Sequence, residues 1–307
     1  MRYRNTALFV LLAAVWGSAF VAIKAGVGSP DAPGYFFDAP VLFAAVRYDI
    51  AAVLMFAYVA WATDRWRPRG RTEWLAVAVG SAFIIAGYHA LLFLGQRGTT
   101  SAAAAVIVSL SPVLTTAFAR ALLADERLSV LGLAGMGVGF LGVVVLSQPT
   151  PADIAASRFE ALVFAAALCF ALGSVLTRRL DTDLPIETME AWSMAGGALL
   201  MHALSLALGE TVSGAPPTDA LVALGYLAVV ASAAGFLVYF DLLGRLGAIE
   251  INLVSYVVPV FAALVGVLLL GERVDTPTAA GFLLVFAGFV IIKRRAIRAE
   301  IADSYWP

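Results

Sequence analysis

Leu110-Ser111-Pro112-Val113 opens an apolar run that closes on Asp125-Glu126-Arg127-Leu128, and Val257-Val258-Pro259-Val260 opens another that closes on Gly271-Glu272-Arg273-Val274. Past each Glu-Arg pair, glycines recur at matching distances: Gly135 and Gly142 in the first copy, Gly281 and Gly288 in the second. The proline-to-glutamate spacing is 14 residues in one copy and 13 in the other, so the two have diverged but stay in register. Alanines and leucines align with themselves in any apolar chain. A proline, a charged pair and two glycines in one order do not. Duplication inside a membrane chain marks secondary transporters, whose binding sites lie between the repeats.

Of the 307 residues, 62% are hydrophobic and only 13% charged, which excludes an ordinary soluble domain. Apolar stretches of roughly 20 residues, long enough to cross a hydrocarbon core of ~30 Å, follow one another closely. Ten are counted: 7–26, 40–61, 73–95, 99–123, 128–147, 158–178, 186–208, 219–241, 247–270 and 276–293. The longer connections carry turn chemistry, as in Ser29-Pro30-Asp31-Ala32-Pro33-Gly34 and Ser213-Gly214-Ala215-Pro216-Pro217. The expected fold is an all-α membrane protein of ten transmembrane helices. They form two five-helix repeats over 1–150 and 151–295, followed by a short tail at 296–307. An odd number of spans per repeat makes the second copy run inverted through the bilayer.

The net charge of −1 conceals an asymmetry. With the N-terminus inside, the cytoplasmic ends hold Arg2, Arg4, Arg65, Arg67, Arg69, Arg71, Arg120, Arg127, Arg178, Arg179, Arg245, Lys293, Arg294, Arg295 and Arg298. The outer ends hold Lys24, Arg97, Arg158 and Arg273, and Arg47 falls within a span. Fifteen against four is the positive-inside pattern, so both termini are expected in the cytoplasm of a multi-pass protein of the cell membrane. Arg2 and Arg4 ahead of an apolar run resemble a signal peptide. The run is of full span length, however, and carries Trp16 and Lys24, which reads as a first transmembrane helix. Cys169 is the only cysteine, so it offers no intramolecular disulfide and no thiolate cluster.

The repeat extends into weaker matches: Gly17-Ser18 answers Gly173-Ser174, and Pro40 answers Pro185. Together with Trp16 and Lys24, Arg47-Tyr48, Thr100-Ser101-Ala102-Ala103 before Ser111-Pro112-Val113, and the two Glu-Arg endings, the pattern resembles the ten-span EamA-type permeases of the drug/metabolite transporter superfamily. The resemblance covers essentially the whole chain. It implies a cavity between the halves lined by spans 1, 3, 4, 6, 8 and 9, with spans 2, 5, 7 and 10 peripheral. Four-span relatives in that superfamily carry a membrane-embedded glutamate in their first span. Neither span one nor span six has an acidic residue at depth here, so that coupling mechanism does not carry over.

Polar groups at membrane depth are costly and face the interior or a water-filled path. Arg47 and Asp49 lie seven and nine residues past Pro40, about 10–13 Å into the bilayer at 1.5 Å per residue, and point roughly 200° apart. They read either as an anion contact and a titrating group, or as a buried charge network with Lys24; the second reading is preferred because span two is peripheral. In span nine, Asn252, Ser255, Tyr256 and Pro259 form one helical stripe, answered in span four by Ser101, Ala105, Ser109, Pro112 and Thr116. Pro112 and Pro259 are candidate kinks. The stripes read either as cavity lining or as close packing by small polar residues. Trp16 with Ser18, Tyr88 with His89, and Tyr239 complete the candidate substrate contacts. Asp241 reads as solvated or paired with Arg245. His202 and Glu190, in span seven, read as structural, as does the glycine face of span five.

The function expected is secondary transport, specifically export of small metabolites or amino-acid-like compounds by alternating access. A passive channel or facilitator of the same architecture is the alternative. No phosphate-binding Gly-x-x-x-x-Gly-Lys loop is present, nor a His-Glu-x-x-His or Gly-x-Ser-x-Gly motif, so neither ATP use nor intramembrane catalysis is indicated. No metal or cofactor is called for. The expected partners are a small-molecule substrate and the lipid bilayer, with no nucleic acid, and a monomer as the working unit.

Overall fold

The computed structural model describes residues 2–122, 130–147 and 154–305; the side chains of some of these, Asn252 among them, lie outside the description, as do Glu126 and Arg127. The chain is helical almost throughout. Helix α1 spans Arg2–Val27, and a short hairpin, β1 Gly28–Ser29 paired antiparallel with β2 Ala32–Pro33, leads to α2 at Pro40–Ala62. Next come α3 (Arg71–Val79), a π-helical segment π1 (Gly80–Gly87) and α4 (Tyr88–Gln96) in one rod, then α5 (Ser101–Val108), α6 (Ser111–Leu122) and α7 (Val130–Ser147). The second part holds α8 (Ile154–Leu180), α9 (Ile186–Leu208), and α10 (Thr218–Gly225) running through π2 (Tyr226–Ala234) into α11 (Gly235–Asn252). It ends with α12 (Val254–Leu270) and α13 (Thr276–Tyr305).

Among the described residues seven helices are long and apolar enough to cross a membrane, and three shorter apolar helices cover Ala134–Leu146, Val254–Leu270 and Thr276–Ile291. The surface agrees with that reading. Trp61 is 83% exposed, Leu206 81% and Leu269 73%, values that suit contact with lipid and would be a liability in water. Two boundaries differ from the sequence reading. The connection expected near 242–246 is helical, with Asp241 and Arg245 paired one helical turn apart at 2.8 Å, and only Leu253, itself in the right-handed helical region, separates α11 from α12. The C-terminal tail continues α13 as helix to Tyr305.

Carboxylates from distant sequence cap two of the helices. Pro40 starts α2 where no N–H is needed, and Glu210, just past the left-handed Gly209 that ends α9, accepts from Val41 N at 3.1 Å and Leu42 N at 2.8 Å. Glu272, beyond α12, accepts from both Ser101 N and Ser101 Oγ at 3.1–3.2 Å, and Thr100 adds its own side-chain cap to Ala103 N. The second Glu-Arg ending is therefore a helix cap, joining α12 to α5.

Packing follows a regular plan. Helix α1 lies against α12 and along the α10–π2–α11 rod; α8 lies against α6 and along the α3–π1–α4 rod. Helix α2 packs on α9 and π2, and α9 on π1; α5 meets α12, and α7 meets α13. At the last contact a Cβ on Gly142 would stand 2.7 Å from Gly281 O, one on Gly281 2.7 Å from Gly142 O, and one on Gly288 2.5 Å from Gly135 O. The glycines matched in the sequence touch one another. From Gly80 to Tyr226, where the two π segments begin, is 146 residues, as from Glu126 to Glu272 and from Gly135 to Gly281.

Candidate functional site

The interior polar groups gather where α2 crosses the two π-containing rods. In π1 the widened ladder leaves the Ile85 carbonyl facing His89, whose Nδ1 lies 2.9 Å away. A carbonyl only accepts, so Nδ1 carries the hydrogen and Nε2 of the neutral ring is an acceptor. Tyr48 supplies the donor, its hydroxyl 2.7 Å from Nε2, with the two rings edge to face at 4.6 Å. Arg47, only 5% exposed, donates from Nε to Ser232 Oγ in π2 at 3.0 Å. Its guanidinium stands over the rings of Tyr48 at 5.0 Å and Phe93 at 5.9 Å, a cation–π arrangement.

On the other rod an aromatic wall forms. Trp16 of α1 donates Nε1–H to Ala231 O in π2 at 3.2 Å, and its ring meets Tyr239 at 5.5 Å and Phe236 at 6.0 Å. Tyr226 reaches back from π2 to Val15 O at 3.0 Å, with Ser18 beside it. From Ile85 to Ala231 is again 146 residues. The same carbonyl in each π segment therefore takes a side-chain N–H, from His89 in one and Trp16 in the other.

The remaining candidates fall elsewhere. Tyr88 meets His89 edge to face at 4.5 Å and Phe170 of α8 at a tilt at 5.4 Å. Ser109 and Ser111 both donate back to α5, to Val106 O at 2.6 Å and Val108 O at 2.7 Å. Val108 is the carbonyl that Pro112 leaves without a donor, so Ser111 closes the gap at the break between α5 and α6. Pro259 is buried inside α12, beside the point where Gly17 of α1 meets Val258 O at 2.7 Å from its notional Cβ. Ser255 is half-buried. Tyr256 does not line open space. Its ring packs on Phe289 at 4.3 Å and Phe286 at 5.7 Å of α13, and its hydroxyl is buried without a partner.

The expected network of Lys24, Arg47 and Asp49 is not formed. Lys24 Nζ donates to Gln96 O at 2.9 Å and Arg97 O at 3.3 Å, at the C-terminal end of α4 where a cation is favoured. Asp49 faces outward and pairs with His202 Nε2 at 2.7 Å. The three charges lie on different faces with different partners. Ser232, Glu210 and Tyr226 were not singled out from sequence, where nothing distinguishes them from other small, loop or aromatic residues. A cleft of about 670 Å³ opens at the α1–β1 end, bordered by Lys24, Asp31, Thr99, Thr100, Phe159 and Glu272.

Comparison with known proteins follows the same division. The model of the EamA-like transporter family matches twice, over residues 4–148 and 158–294. A transporter of Archaeoglobus fulgidus without assigned substrate is 24% identical over 94% of this chain and 96% of its own. The inner membrane transporter YedA of Escherichia coli K12 is 27% identical over 90% and 87%. A probable amino-acid metabolite efflux pump of Salmonella typhimurium is 28% identical over 95% of both chains. One crystal structure superposes with a TM-score of 0.65 over 98% of this chain and 100% of that one, at 22% identity, which speaks to fold alone. Matched over both halves, the chain belongs to the EamA-like transporter family.

Proposed function

We propose that the protein is a secondary transporter that exports small metabolites or amino-acid-like compounds across the cell membrane. It works by alternating access between two inverted five-helix repeats, 1–150 and 151–295, with both termini in the cytoplasm. The observation that carries this is the packing plan. Shifting each helix by one repeat converts the α1 contacts with α12 and the π2 rod into the α8 contacts with α6 and the π1 rod. The same shift converts the α2–π2 contact into α9–π1, and the contact of Gly142 with Gly281 into that of Gly288 with Gly135. Two such halves have two equivalent ways of closing, one on each side of the membrane. The Salmonella relative's name supports efflux and an amino-acid-like cargo.

Substrate is taken between the two π-containing rods, against the aromatic faces of Trp16, Tyr88 and Tyr239. π segments are common at functional sites, since their looser ladder bends at small cost. Counterflow into liposomes tests the reading. Vesicles holding the purified protein are loaded with each of the twenty protein amino acids in turn and offered the same compound as external tracer. Exchange above protein-free vesicles, lost in Trp16→Ala, is the expected result. No exchange with any of them refutes the amino-acid-like cargo, and net flux that ignores every imposed gradient favours a passive facilitator.

A further inference from the structure

Glu190 is the interior carboxyl that none of the contacts above employs. It sits on α9 four residues past Ile186, is 9% exposed, and its Oε2 is fully buried with no hydrogen-bond partner. Among the described residues no ion pair joins it. The groups that face it can be named element by element. From α2 comes the Tyr48 phenol and from α11 the Tyr239 phenol, both close enough to feel its charge. On its own helix Ser193, likewise without a partner, presses on Gly80 of π1, and Ser81 meets Gly196 one turn further. Glu73 of α3, a helix that also touches α9, is held by Arg65 at 2.6 Å and by Arg69 N at 2.6 Å. The other buried charge, Arg47, is engaged with Ser232 and the Tyr48 ring.

A charge taken out of water without a counter-ion is expensive, and a carboxyl escapes that expense by binding one proton. Glu190 also lies on the helix that packs on both α2 and π1, so movement of the halves changes what surrounds it. A structural glutamine would fill the same volume without titrating. We propose that Glu190 is a proton-binding site, holding one proton while closed from water and releasing it to the compartment that opens to it, so that export of one substrate is exchanged for entry of one proton.

The proposal rests on the transporter reading for its coupling half, and its test has one arm that does not. In pH-difference infrared spectra of the purified protein alone, a protonated-carboxyl C=O band should appear as pH falls. It should vanish in Glu190→Gln and return, shifted, in Glu190→Asp. Absence of any titrating band in the wild type, or an unchanged band in Glu190→Gln, overturns the site even if transport is found. In the second arm, liposomes that pass the counterflow test receive a pH step under a potassium–valinomycin clamp. The wild type should accumulate tracer up to about tenfold per pH unit for one proton exchanged. Glu190→Gln should retain counterflow and lose that accumulation; accumulation equal to wild type overturns the coupling. Failure of counterflow with every amino acid refutes the cargo assignment and leaves the infrared result to decide the proton site.

Discussion

Replacing Gly288 by alanine places a methyl group where α13 touches α7. The new Cβ would stand 2.5 Å from Gly135 O, 2.7 Å from Gly139 N and 3.0 Å from Gly139 Cα, all backbone atoms that cannot swing aside. Reaching the ~3.3 Å of the closest tolerated C···O contacts requires the helices to part by about 0.8 Å. A gap of that size forfeits a quarter to a half of the dispersion energy of the contacts it opens, an overpacking cost of about 1–3 kcal/mol. The gain in helix propensity, about 1 kcal/mol, offsets part of it. Gly137 is the control, since a Cβ there meets nothing within 4 Å and alanine should collect the propensity gain alone. Thermal melting in mild detergent should therefore rank Gly137→Ala at or above wild type and Gly288→Ala clearly below. Gly281→Ala should match Gly288→Ala, because its Cβ would stand 2.7 Å from Gly142 O and 2.8 Å from Leu146 Cβ. Gly288→Ala melting at or above wild type would falsify the α7–α13 contact and, with it, the clearest of the reciprocal contacts between the halves.

Tyr48→Phe removes the donor to His89 Nε2 and leaves a buried acceptor unsatisfied, costing about 1–3 kcal/mol. A cycle with His89→Leu should show strong coupling in melting temperature, and additive effects would refute the Tyr48–His89 hydrogen bond. Glu272→Ala deprives the start of α5 of its carboxylate cap, worth about 1–2 kcal/mol, so proteolysis near Thr100 should quicken; unchanged protection would mean that Thr100 alone caps the helix. Cysteines placed at Asp31, Asp153 and Asp219 in a Cys169→Ala background should label from outside intact cells, whereas those at Arg67, Asp183 and Arg298 should stay protected. Labelling of Arg298 with protection of Asp153 would overturn the proposed inverted ten-span topology.

The fold was legible where residue type is tied to a backbone need. Pro112 breaks α5 from α6 because it lacks the N–H for Val108, and the glycines of α7 and α13 recur because two backbones meet there. The π segments were not legible. A ladder that slips by one residue has no composition of its own, and Gly80–Gly87 and Tyr226–Ala234 share little sequence. Only the displacement of 146 residues connects them. The miss at the connection expected between the spans 219–241 and 247–270 has a different cause: Asp241 and Arg245 pair with helical spacing inside it, and the helix continues through it.

Depth along a span can be counted from the sequence, but partnership depends on register, which cannot. Val41 with Glu210 and Asp49 with His202 both have residue numbers totalling 251, as an antiparallel α2–α9 pair requires, and that register turns Asp49 outward and Arg47 toward Ser232. One residue of slip would reverse those assignments. The same reasoning explains how a duplicated chain makes its two halves unequal. The equivalent carbonyls of Ile85 and Ala231 are both held by side chains, yet His89 ties the first within its own half while Trp16 ties the second from the opposite half. Closure that moves α1 against π2 must therefore break or keep the Trp16 bond, whereas π1 can follow α4 with its bond intact. Ala231 is latched from across the contact between α1 and π2, whereas Ile85 is held from within its own rod, so the two equivalent carbonyls differ in what a movement of α1 would cost them.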